Sequence, residues 1–356
     1  MSEILSQSWV EWGLLAQTPT TDVQLWHWVA FGAFVAVLLV LDLFVFHRDS
    51  HEPTLRESAV WTVIWCSLAL AFNVLLWIWR GSDIGVAFLT GYLVEWALSM
   101  DNVFVFAVVF SFFGVPLKYQ YRVLFWGILG AVVMRLAFIL AGAALIERFS
   151  WVMPIFGALL IYTGYKLAAH GDTEVNPEKN ILMRAARRLF PVAKESHGDH
   201  FFVIEDGRRC ITPLFLVLLV VESTDVLFAV DSVPAIFGIT QDAFTVFTSN
   251  IFAILGLRAL YFLLAGVMNM FRYLNYGLAA VLSFVGFKMV GEWWTGHHLL
   301  PPAGSLAVIL VLLSASIIAS ILANRRERLT PPPLSESDTP QPDATQPVSE
   351  GGRSQR

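Results

Sequence analysis

Positive charge is missing from the start of this chain: no Lys or Arg precedes Arg48. A secretory leader needs a basic n-region, so the first apolar run is expected to be a retained membrane span. Cysteine is nearly absent too. Cys66 falls in an expected span and Cys210 in an inner loop, which implies no disulfide framework. Charged residues make up only 14% of the chain, and no basic stripe with interleaved aromatics is present, which excludes nucleic acid as a partner class. The chain also lacks a phosphate-binding loop and any H-E-x-x-H zinc motif. It is therefore expected to be neither an ATP-driven pump nor an enzyme, and to carry no prosthetic group.

Apolar residues, by contrast, are abundant. They form 56% of the sequence, against roughly 45–50% in soluble domains, and mean hydropathy is +0.65. A helix needs about 20 apolar residues to cross a bilayer core. Nine runs meet that criterion, at about 28–46, 59–79, 85–113, 123–146, 150–168, 212–237, 244–265, 273–291 and 304–323. The expected fold is an all-α, polytopic membrane bundle. Lys and Arg favour the cytoplasmic side, and with the N-terminus outside 18 of the 23 fall on the inner side. Residues 1–27 are then an external segment, 28–323 the transmembrane domain and 169–210 a cytoplasmic loop. The Pro-, Ser- and acid-rich stretch 324–356 cannot bury a core and is expected to be disordered. Within the loop, "FFVIEDGRRCIT" has apolar runs around an Asp-Gly turn, the pattern of a short hairpin.

The chain also repeats itself. "SMDNVFVFAVVFSFFG" aligns without a gap on "STDVLFAVDSVPAIFG", placing Asp101 on Asp225, Phe104 on Phe228 and Gly114 on Gly238, and "GYK" ending at Lys166 resembles "GFK" ending at Lys288. The units, 85–168 and 212–291, each hold three spans. Three is odd, so the copies should enter the membrane from opposite sides. Inverted repeats of that kind characterise transporters with a site near the midplane.

That midplane is where acids accumulate. Glu95, Asp101 and Asn102 lie in the third span, and Glu222, Asp225, Asp231, Ser232 and Pro234 in the sixth. A carboxylate at membrane depth is costly and marks an ion pathway or proton relay by default. At about 1.5 Å of rise per residue, Glu95 and Asp231 should share an outer level, Asp101 and Asp225 a central one, and Glu222 an inner one. Pro234 removes a helix hydrogen bond and is expected to kink its span. The donors are all oxygens, which suits a hard divalent cation such as Mg, Ca or Mn. Arg135 and Arg258, near the middles of their spans, are expected to neutralise two of the five acids. A divalent metal and a proton would balance the rest. Against this stands a purely structural ion-pair network.

Other polar residues read more simply. His170, His197, Asp199 and His200 in the loop fit either metal hand-over or ordinary solvation. Asp42 reads as a local hydrogen-bond partner or entrance residue, and Asn73, Ser249 and Asn250 as residues that hold helices together.

"GYLVEWALSMDNVFVF", "VVESTDVLFAVDSVPAIFGIT" and "FTSNIFAILGLRALYFLLAG" closely resemble the TerC/Alx family of bacterial integral membrane proteins. The resemblance covers essentially 28–323. It implies a place in the cytoplasmic membrane and a role in metal-ion homeostasis, with manganese(II) export for Alx-like members and an association with tellurite resistance. The family's acidic motif positions fall on Glu95, Asp101, Asn102, Glu222, Asp225, Asp231 and Ser232. One departure is Trp96, where relatives commonly have Lys. The expectation is a secondary transporter exporting manganese(II), with protons as the natural coupling ion. The alternative is a protein that delivers metal to secreted or membrane enzymes, for which His297 and His298 give weak support.

Overall fold

The computed structural model describes residues 23–45, 54–170, 180–193, 198, 200–205, 207–264 and 273–329. Ten helices occur among them: α1 (Leu25–Val45), α2 (Leu55–Arg80), α3 (Ser82–Phe112), α4 (Leu117–Arg148), α5 (Val152–His170), α6 (Ile181–Leu189), α7 (Pro213–Phe237), α8 (Ala243–Leu264), α9 (Leu274–Thr295) and α10 (Pro302–Leu329). All except α6 are long and apolar enough to span a membrane. This is an all-α, multi-pass membrane protein. Strands β1 (Phe202–Glu205) and β2 (Arg208–Ile211) form the expected hairpin, antiparallel with Phe202 opposite Ile211 and Glu205 opposite Arg208.

Local chemistry sets the helix ends. Thr54 and Glu57 form a reciprocal capping box that starts α2, and Gly81, at φ 95°, makes the tight link to α3. Thr212 caps α7, accepting from the Phe215 amide at 3.3 Å ahead of Pro213 in the first turn. Asp242 accepts from the Thr245 amide at 2.8 Å at the start of α8 and also takes Arg80 at 2.6 Å, tying the end of α2 to it.

Several helices run past the expected span limits, α4 beginning at Leu117 rather than 123. α10 continues to Leu329 rather than stopping at 323; Leu, Ala, Arg and Glu are good helix formers, and nothing before Pro331 breaks the pattern. Helix α6 was not anticipated. Its nine residues, ILMRAARRL, are too few and too basic to register as a span, yet Met183 and Ala186 are buried on one face while Asn180 caps it. The segments 1–22 and 330–356, expected to be external and disordered respectively, lie outside the described residues.

The helices differ sharply in burial. α8 is the centre, with 94% of its apolar window buried, whereas α1, α2 and α10 bury only 22%, 22% and 17% of theirs. Around α8 the helices of the two sequence units exchange partners: α3 packs on α8, α4 on α7 and α5 on α9. Their directions can be read from side chains. Gly157 meets Gly286 and Met289 while Gly164 meets Ala279 and Ser283, so α5 and α9 run antiparallel. Gly127 faces Val221 and Gly142 faces Phe237, so α4 and α7 are parallel. Phe88 lies against Phe252 and Phe110 against Tyr261, which makes α3 and α8 parallel also.

Candidate functional site

The centre of the site is a guanidinium. Arg135 on α4 is fully buried, and its Nη1 donates to Oε1 of Glu95 on α3, to Ser232 Oγ on α7 at 3.1 Å and to Asn250 Oδ1 on α8 at 2.6 Å. Its Nη2 stands 3.6 Å from Asp225 Oδ1. One cation therefore ties α3, α4, α7 and α8 together. A charge so far from solvent is tolerable only when paired and hydrogen-bonded, and the planar fork of Arg meets several acceptors at once, which the point charge of Lys does not.

Beside this cluster is a cavity of about 150 Å³. Glu95, Asp101, Asn102, Asp231 and Ser232 line it together with Arg135, Thr163 and Lys166. Five of the seven acidic-motif positions thus share one space. Glu95, Asn102, Arg135 and Ser232 are buried, whereas Asp101, Thr163 and Asp231 are half-buried and Lys166 is exposed. The first four form its floor and the second four its mouth. Glu95 Oε2 and Asn102 Oδ1 are buried acceptors with no hydrogen-bond partner among the described residues. Thr163 Oγ1 donates to Asp231 Oδ1 at 2.9 Å, fixing that carboxylate from α5.

The other two motif acids lie elsewhere. Asp225 is behind the wall, against Arg135 and beside a small apolar pocket formed with Phe106, Ile128 and Leu257. Glu222 is seated on α4 at Gly130, where an added Cβ would stand 2.0 Å from its Oε1; that glycine is the socket for the carboxylate. Pro234 is buried in the last turn of α7, and the helix continues through it to Phe237.

Arg258 departs from expectation. Its Nη2 pairs with Oδ1 of Asp42 on α1, not with any of the five acids, and its guanidinium lies 4.8 Å over the Tyr121 ring. Asp42 is itself buried and needs a cation of its own. Two turns along α8 from Asn250, Arg258 is carried away from the cavity towards α1. Arg135 is left as the guanidinium of the acidic cluster, shared between Glu95 and Asp225.

Two further residues, Thr163 and Lys166, line the cavity without being among the expected site residues. The signal was present in "YTGYK", whose Lys is matched by Lys288 in the second unit. Asn250 does hold helices together, but through the Arg135 cluster. Trp96 is half-buried and packs on apolar residues of both major core clusters, outside the cavity wall. His197 and Asp199 lie outside the described residues, as does the side chain of His170; the His200 carbonyl accepts from Thr212 Oγ1 at 2.7 Å. His298 is 3.5 Å from Glu292, which also pairs with Lys288 at 3.4 Å.

The similarities to known proteins run through this whole framework. The chain is 50% identical over 313 residues to the "Uncharacterized membrane protein STKORF319" of Myxococcus xanthus, covering 88% of this chain and 96% of that one. It is 43% identical over 307 residues to a Photorhabdus laumondii protein described as "Putative membrane-bound redox modulator Alx", covering 84% and 95%. An Escherichia coli protein of the same description is 43% identical over 308 residues, with the same coverage. No solved structure matches. The model of the integral membrane protein TerC family matches residues 80–328, from the end of α2 to α10, and so takes in every residue of the cavity. The chain belongs to the TerC family of integral membrane proteins.

Proposed function

We propose that this protein is a secondary transporter that exports a divalent metal cation, manganese(II) first among them, across the bacterial cytoplasmic membrane. The observation that carries this reading is the pair of orphan acceptors on the cavity wall, Glu95 Oε2 and Asn102 Oδ1. Leaving a buried acceptor unsatisfied costs about 1–3 kcal/mol. A cation entering with part of its water shell removes that cost, while Asp101 and Asp231 at the mouth supply further negative charge.

The donors are hard oxygens, as manganese, magnesium or calcium prefer. Among the described residues, no three His, Cys, Asp or Glu side chains are grouped closely enough to hold a metal ion by themselves. The antiparallel α5 and α9, and the exchange of partners between the units, support an inverted pair of three-helix repeats around the cavity. Placing the N-terminus outside rests on the Lys and Arg distribution. The carboxylates that bind a metal also bind protons, which makes proton exchange the coupling of choice.

The test is flux. Inside-out vesicles containing the protein should accumulate manganese(II) saturably, faster with an acidic interior, and Asp101→Asn should abolish this at equal protein level. Correctly inserted wild-type protein that moves no divalent cation under either condition would overturn the reading.

A further inference from the structure

The two repeat-matched lysines meet different fates. Lys288 is buried, donates to the Gly238 carbonyl at 2.9 Å and pairs with Glu292 at 3.4 Å, so its ammonium is built into the packing between α7 and α9. Lys166 is exposed, yet it lines the acidic cavity. It follows Thr163 by three residues and so shares that helix face, and Thr163 is already bonded to Asp231 at 2.9 Å. The ammonium is thereby delivered to the mouth formed by Asp101 and Asp231.

The charges on the wall are of two kinds. Arg135 is buried and held by acceptors on three other helices, so it cannot leave. Lys166 sits on a flexible four-carbon stem that lets the ammonium lie among carboxylates or snorkel outward to water. Three carboxylates, Glu95, Asp101 and Asp231, face these two cations, and Asp225 draws on Arg135 from behind. Carboxyl groups around the cavity therefore outnumber the cations beside them. The cavity, of about 150 Å³, brings both cations to the same few carboxylates. A hydrated divalent ion and an ammonium cannot both occupy it without strong like-charge repulsion.

We infer that Lys166 is a tethered cation that competes with the passenger ion: its ammonium neutralises Asp101 and Asp231 in the empty cavity and swings outward when a divalent cation enters. This rests on the transport reading and adds a release device to it. The return of the ammonium would displace the bound metal, so the cavity never stays loaded with an ion it cannot release. The same competition discriminates by charge, because a monovalent ion gains less than a divalent one from evicting the lysine.

The test is equilibrium manganese(II) binding to purified protein in detergent, with Cys66 and Cys210 changed to Ala in every sample. Lys166→Gln should bind at least about tenfold more tightly than the parent, because a positive charge a few ångströms from the ion has gone. Lys166→Cys should do the same. Attaching an aminoethyl group to that thiol restores an ammonium at nearly lysine length and should return the affinity to the parent value, whereas a methyl disulfide should not. Unchanged or weaker binding in Lys166→Gln, or equal effects of the charged and neutral adducts, would overturn the inference. Folded parent and variants that all fail to bind manganese(II) saturably would overturn the metal-site reading itself, and this inference with it.

Discussion

Glu95 and Arg135 form a fully buried ion pair in which one carboxylate oxygen is engaged and the other is open: Oε1 accepts from Nη1, while Oε2 has no hydrogen-bond partner among the described residues. The pair ties α3 to α4 and still leaves one carboxylate oxygen available. Glu95→Gln keeps the shape and removes the charge, leaving Asp225 at 3.6 Å as the ion partner of Arg135. Such a variant should insert and fold but bind manganese(II) at least about tenfold more weakly, since charge-assisted contacts are roughly twice as strong as neutral ones. Isothermal titration of purified protein reads this directly.

Removing the cation should have the opposite profile. Arg135→Met leaves two buried carboxylates without their ion partner, a loss of about 3–5 kcal/mol for a buried pair broken on one side. Thermal unfolding should show a large drop in midpoint. The double variant Arg135→Met with Glu95→Gln should recover part of it, and an equally unstable double variant would show that Glu95 is not the main partner.

Position relative to the cavity separates the motif acids. Asp101→Asn should end transport with little change in unfolding temperature, because Asp101 lines the half-open mouth. Asp225→Asn should cost stability as well as transport, since it withdraws a charge from Arg135. Measuring efflux and unfolding on the same preparations distinguishes these two patterns.

The Asp42–Arg258 pair lies apart from the cavity and should behave as a fastener between α1 and α8. Asp42→Asn is expected to lower stability by about 3 kcal/mol while transport per inserted molecule persists. Asp42→Asn with Arg258→Gln should regain most of the loss in a double-mutant cycle.

Close helix approach gives a further check. A Cβ placed on Gly286 would stand 2.6 Å from the Gly157 carbonyl oxygen, and one on Gly157 would stand 2.8 Å from the Gly286 carbonyl oxygen. Backbone atoms cannot yield as a side-chain tip can. Gly286→Ala should therefore destabilise by about 1–3 kcal/mol through overpacking, and Gly286→Val by more. Surface expression and unfolding temperature both report it.

Much of this was legible in the residue order because the bilayer imposes simple demands. Spans 59–79 and 212–237 were expected from apolar length alone, and the helices run Leu55–Arg80 and Pro213–Phe237. The hairpin around Gly207 followed from its turn chemistry, with Gly207 at φ 74°. The acids of the third and sixth spans stood out because charge at membrane depth is expensive. Helix α6 escaped since nine basic-amphipathic residues satisfy no spanning criterion.

Partner choice was different in kind. Helix rise gives the depth of a carboxylate but not which guanidinium reaches it, and two arginines near mid-span looked interchangeable in the chain. Only packing sends Arg135 to Glu95 and Asp225 and Arg258 to Asp42, because each choice depends on which helix, distant in sequence, stands within side-chain reach. The same holds for Thr163 and Lys166, drawn into the acidic cavity by the antiparallel seating of α5 on α9 and its contact with α7. Local sequence, through hydrophobic length and the cost of buried charge, determined that there would be spanning helices with an acidic interior. The tertiary arrangement decided which charges cancel and which face the cavity, because electrostatic pairing is settled by distances of a few ångströms between elements that the chain order does not bring together.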